Sequence, residues 1–133
     1  MGRTVNRWTR LLALAVGATF AAQGLWAFLS PRSFFDALAT FEPYNPHFLR
    51  GIGAGLLGVG TAGAVAALHP RALVAGLSGL AAFQIVHVLS HVIDRDRGGN
   101  PGLDIPVFAL LAALTAAALV SELRSERAPQ SQR

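Results

Sequence analysis

The chain has 133 residues, 53% of them hydrophobic and only 14% charged, with a formal net charge of +4. Soluble domains carry about 25% charged residues, so this set is too sparse to coat a water-soluble globule of this size. With a mean hydropathy of +0.47, disorder is excluded as well, and a lipid bilayer is left as the solvent.

The residue types exclude further classes. There is no cysteine, which removes disulfide frameworks, thiolate metal sites and iron–sulfur clusters. All 11 basic residues are arginine, so no lysine can form a Schiff base or serve a phosphate-binding loop. The arginines are scattered between apolar runs and form no basic stripe with aromatic partners, which argues against a nucleic-acid partner.

In chain order, the first apolar run extends from about Trp8 to Leu29. A bilayer core of ~30 Å needs ~20 helical residues, and this run is long enough. Arg3, Arg7 and Arg10 ahead of it, with Thr19-Phe20-Ala21-Ala22 inside it, have the look of a secretory signal. The apolar stretch continues to Leu29, however, beyond the ~7–15 residues of such a signal. Trp8 and Trp26 lie ~27 Å apart along a helix, one at each membrane interface. A retained span is expected.

Ser30-Pro31 reads as an N-cap followed by proline at the first helical position. Phe34, Phe35, Leu38 and Phe41 recur at helical spacing, predicting a short amphipathic helix over Pro31–Thr40 lying in the interface. The second span runs from about Phe48 to Leu68 and the third from about Ala72 to Ile93, joined by a tight turn in which Pro70 opens the third helix. The fourth span runs from about Ile105 to Leu123. The remaining tail, 124–133, is expected to be mobile. The expected fold is therefore all-α, a single domain of four transmembrane helices. No span interior carries Asp, Glu, Lys or Arg, so no buried carboxylate relay is expected.

With both termini on one side, that side holds seven arginines against four opposite. Arginine excess marks the cytoplasmic face, so both termini are expected in the cytoplasm and the chain in a bacterial inner membrane.

The second span is rich in glycine. Gly51 and Gly55 form a GxxxG step, and Gly58 with Ala62 extends the small-residue pattern. In lipid, helices associate by close backbone packing that small residues permit. These positions predict a tight hairpin of the second and third spans, closed by the first and fourth. The same faces could serve self-association or another membrane protein.

The polar residues converge on one end. His87, His91 and Asp94 share one face of the third helix, and Gln84 extends that stripe into the membrane. His47, Arg50, Glu42 and Asp104 are near the same end in sequence. Three readings stand side by side. Two imidazoles and a carboxylate, His87, His91 and Asp94, could ligate a metal, with His47, Glu42 or Asp104 as fourth ligand. One histidine could hold haem. Alternatively, these groups hydrogen-bond between helices, with Asp94 and Arg50 reaching outward to pair. Ser78 and Ser90 have no nucleophile elbow around them and read as helix-packing groups.

Taken together, the Leu29-Ser30-Pro31 break, the Phe34-Phe35-Asp36-Ala37-Leu38 segment, the Arg50-Gly51-Ile52-Gly53 start of a glycine-rich helix and the polar end of the third helix are similar to the DoxX-like superfamily of small bacterial four-helix membrane proteins. The resemblance covers nearly the whole chain. It implies a role as accessory subunit of a membrane oxidoreductase system. The favoured reading is a membrane subunit without catalysis of its own, packing against itself or a partner. A metal- or haem-binding redox protein and a small lipophile-binding module are the alternatives.

Overall fold

Among the described residues, four helices have the length and hydropathy to cross a bilayer: α1 (Arg7–Leu29), α3 (Pro46–Leu68), α4 (Leu73–Ile93) and α5 (Pro101–Arg127). A fifth, short helix α2 (Pro31–Ala37) joins α1 to α3. These elements come from a computed structural model that describes residues 6–127, and no strand occurs among the described residues. At ~1.5 Å per residue, the 23 residues of α1 extend about 35 Å. Val86, Ile93 and Leu110 are among many large apolar side chains left on the outside. An outer surface of this kind belongs in lipid, where helices satisfy their own backbone hydrogen bonds. The chain is a multi-pass membrane protein.

The long helices run up and down in sequence order around a ring. α1 lies beside α3, α3 beside α4, α4 beside α5, and α5 touches α1 again. Among the described residues α3 and α5 do not meet, so they occupy one diagonal of the bundle. The start of α1, the α3–α4 turn and the end of α5 share the terminal end. The α1–α3 connection and the α4–α5 connection share the opposite, loop end.

The closest pair is α1 with α3, and its seam corrects the expected packing. Gly17 and Gly24 of α1 are seven residues apart, as are Gly53 and Gly60 of α3. The two sets interlock antiparallel. A methyl built on Gly17 would sit 2.5 Å from the Ala64 backbone nitrogen and 2.7 Å from the Gly60 carbonyl oxygen. On Gly53 it would sit 2.7 Å from the Gly24 carbonyl oxygen. Such separations require glycine, because neither backbone can move away alone. Gly51, Gly55 and Gly58, by contrast, have open space where a side chain would be, and Ala62 is exposed. The GxxxG step therefore makes no contact inside this chain. An offset of two residues, roughly half a helical turn, decides which glycines face inward, and the apolar composition all round α3 conceals that phase.

The α3–α4 contact is looser in kind. Leu80 packs on Gly63, and Ala66 on Gly76. Leu73, Leu77 and Leu80 are wholly buried along α4. The edge-to-face contact of Phe20 with Phe83, centroids 5.3 Å apart, ties α1 to α4 across the interior.

Three boundaries differ from expectation. Pro70 lies in the turn, and α4 begins only at Leu73. α5 is longer than the fourth apolar run, because Pro101 starts it and helix continues through Arg124 to Arg127. The expected mobile tail loses its first four residues to that helix, while 128–133 lie outside the described residues. α2 is also shorter than the amphipathic pattern. Ser30 occupies its N-cap position but makes no side-chain capping bond. Phe34 and Phe35 are buried against the bundle, Phe34 edge-on to Trp26 and Phe35 edge-on to Tyr44. The outward face carries the Arg32–Asp36 pair at 2.9 Å, whose hydrogen bond and charge raise the Arg32 pKa. At that exposure the pair adds little stability.

Candidate functional site

The loop end gathers most of the chain's polar chemistry around α4. Its helical period places Gln84, His87 and His91 on one stripe that faces α5. Gln84, 3% exposed, donates to the Thr115 hydroxyl at 3.1 Å. Thr115 also bonds the Leu111 carbonyl of its own helix at 2.9 Å. This pair sits among alanines and leucines in the middle of the bundle, where an unpartnered amide would be costly.

One turn above, His87 and His91 meet edge-to-face with centroids 4.7 Å apart. Phe108 of α5 lies against both, at 5.0 Å from each. Phe83 stacks on His87 at 5.7 Å, and Phe41 meets His91 edge-on at 5.7 Å. His91 is 9% exposed and His87 is half-buried, so the imidazole pair sits within an aromatic box of Phe41, Phe83 and Phe108.

Asp104 links this box to the loops. Its Oδ2 accepts the Asn100 backbone N–H at 2.8 Å, closing the first turn of α5. The same oxygen is 4.0 Å from His91 Nδ1, beyond direct hydrogen-bond range. Gly99, at φ +69°, brings the chain beside both Asp104 and the Phe41 ring, and its N–H reaches the Thr40 carbonyl at 3.3 Å. A side chain at Gly99 would be strained by its backbone and would press on Phe41.

The other sequence candidates lie elsewhere. Asp94 pairs with Arg97 at 3.2 Å, and not with Arg50. Glu42 accepts the Tyr44 backbone N–H at 2.9 Å. His47 and Arg50 are exposed on the first turns of α3. Among the described residues, no three His, Cys, Asp or Glu side chains are grouped as a metal ion requires. The expected ligand set His87, His91, Asp94 and His47 is therefore not assembled. The reason lies at the end of α4: Asp94 is its C-cap, where the chain leaves the helical face it shared with the histidines. Ser78 and Ser90 bond carbonyls of their own helix, at 2.8 and 2.7 Å, and do not join helices.

Several participants escaped sequence reasoning. Phe41, Phe83 and Phe108 form the box, yet they read as ordinary apolar residues. Thr115 carried a signal, as a lone hydroxyl deep in the fourth apolar run. At the terminal end, Glu122 is 1% exposed and accepts the Thr9 hydroxyl and, at 3.3 Å, the Asn6 N–H. A buried carboxylate thus lies within α5 after all, one residue inside the Leu123 end of the fourth apolar run, where none was expected.

Residues 11–118 match the model of the DoxX-like family. The chain belongs to that family. The DoxX-like match takes in α1 through most of α5, including Gln84, His87, His91, Phe108 and Thr115. Thr9 and Glu122 fall just outside it. No curated protein and no solved structure matches this chain.

Proposed function

We propose that this DoxX-like protein is a non-catalytic subunit of a membrane complex, receiving a transmembrane helix of its partner on the outer face of α3. The observation that supports this reading is the division of labour among the α3 glycines. Gly53 and Gly60 are consumed by α1, while Gly51, Gly55, Gly58 and Ala62 form a second small-residue line facing outward. Beside that line runs a groove of about 630 Å³ walled by Phe28, Leu57, Thr61 and Val65. Glycine in a helix costs up to ~1 kcal/mol relative to alanine. Three outward glycines with no neighbour are an expense that a closely approaching backbone repays.

Affinity purification of the full chain from native membranes tests this. The wild type is expected to retain a membrane partner through mild extraction. Gly55→Leu with Gly58→Leu is expected to lose it, while thermal stability does not fall, because both sites are open and leucine is the better helix former. Two differently tagged copies distinguish self-association from a second protein. Recovery of the chain alone, or retention by the double variant, overturns the proposal.

The orientation belongs to the same reading. Arg7, Arg10, Arg71, Arg124 and Arg127 all lie at the terminal end, and arginine excess favours the cytoplasmic side. A reporter fused after Arg133 is expected to read cytoplasmic, and an external signal would reverse the assignment.

The aromatic box serves in this reading as the contact that locks α4 to α5 and to the Phe41 loop. It supplies ring packing between helices, and the Gln84–Thr115 pair one turn below supplies the hydrogen bond.

A further inference from the structure

A second groove opens at the terminal end, on the side where the start of α1 meets the end of α3. Its volume is about 360 Å³, and Arg7, Arg10, Leu11, Leu14, Ala67 and Leu68 line it. The lining is divided. Both arginines come from the first turn of α1, while Leu11 and Leu14 continue the groove toward the membrane interior and Leu68, the last residue of α3, walls it at the level of Arg10, all three exposed.

Arg10 is held in place. Its Nε donates to the Ala67 carbonyl at 2.9 Å, satisfying one of the last backbone oxygens of α3. That bond uses one edge of the guanidinium and leaves its two terminal nitrogens for another acceptor. Arg7 makes no side-chain hydrogen bond or ion pair among the described residues. No carboxylate lines the groove, and the nearby Glu122 turns inward to Thr9 and Asn6. Trp8, exposed between the two arginines in sequence, marks this level as the headgroup zone. The site thus presents two cations above an apolar trough, at the depth where a phospholipid has its phosphate above its acyl chain.

We infer that this groove binds one anionic phospholipid, with its phosphate on Arg7 and Arg10 and an acyl chain along Leu11, Leu14 and Leu68. Planar guanidinium groups suit phosphate recognition, and basic pockets between membrane helices take anionic headgroups. The bound lipid would cover the seam between α1 and α3 at its terminal end.

The test uses the delipidated full chain in detergent, titrated with phosphatidylglycerol, phosphatidylcholine or inorganic phosphate, with adducts counted by native mass spectrometry. Phosphatidylglycerol is expected to bind more than about tenfold tighter than phosphatidylcholine. Arg7→Gln and Arg10→Gln are each expected to weaken it about fivefold. Arg124→Gln, an exposed arginine at the same end, is expected to leave it within about twofold. Equal binding of the two lipids, no loss in Arg7→Gln, or an equal loss in Arg124→Gln overturns the inference. Inorganic phosphate binding as tightly as the lipid would also overturn it, because the apolar trough would then contribute nothing. If Arg10→Gln fails to fold for want of the bond to Ala67, Arg7→Gln decides alone.

Discussion

Gly24→Val is expected to destabilise the bundle by about 3 kcal/mol, at the upper end of what overpacking a tight contact costs, and to lower the yield of folded protein in membranes. The reason is geometric. A Cβ at Gly24 would fall on the backbone nitrogen of Leu57 and lie 2.6 Å from the Gly53 carbonyl oxygen. Backbone atoms of a membrane helix cannot swing aside as a side chain can, so α1 and α3 must separate. Separation at Gly24 also opens the contacts at Gly17 and Gly60, which share the seam, and the loss of close packing is not offset by any hydrophobic drive in lipid. Gly55→Val on the outward face of α3 is the matched control. It meets nothing within 4 Å and is expected to change the midpoint of a denaturant or thermal transition by less than about 0.5 kcal/mol equivalent. Equal destabilisation by the two variants would show that the α1–α3 seam does not set the response.

Glu122→Leu is expected to cost about 1–3 kcal/mol, the usual penalty for orphaning buried hydrogen-bond donors. Glu122 joins the end of α5 to the start of α1, two elements otherwise in limited contact, so the first turn of α1 is expected to fray. Amide hydrogen exchange at residues 8–12 reads that directly. Glu122→Gln keeps an acceptor oxygen at the same place and is expected to lose less than half as much. Thr9 has one proton and two acceptors, Glu122 and the Asn6 carbonyl at 2.7 Å. Thr9→Val alone should therefore be mild, and a double-mutant cycle with Glu122→Leu should show coupling of about 0.5 kcal/mol or more. Additive effects would mean that the Thr9–Glu122 bond contributes no stability.

Much of the architecture was legible because a bilayer reduces it to one variable. Apolar length alone identifies a span, and it placed α1, α3 and α4 within about two residues. The end of α5 was misjudged because hydropathy fell at Glu122-Leu123-Arg124 while helix propensity did not. Hydropathy reports lipid contact, and Glu122 is screened from lipid by α1. For the site, helical spacing correctly put Gln84, His87 and His91 on one stripe, since that relation is internal to one helix. It failed at Asp94, where the helix ends.

What lay beyond the sequence was every relation between helices. In a soluble helix the polar face reveals which side is buried. A membrane helix such as α3 is apolar all round, and its glycines supply two lines of small residues on different faces. Composition cannot say which line meets α1. The amino-acid sequence by itself thus determined a four-span membrane protein with few charges, all confined to its ends. The tertiary arrangement decided that Gly17, Gly24, Gly53 and Gly60 close the bundle, leaving Gly51, Gly55 and Gly58 outward. It also set three phenylalanine rings around the histidine pair. Those outcomes depend on the rotation of each helix about its axis, which is fixed only by backbone-to-backbone fit between neighbours.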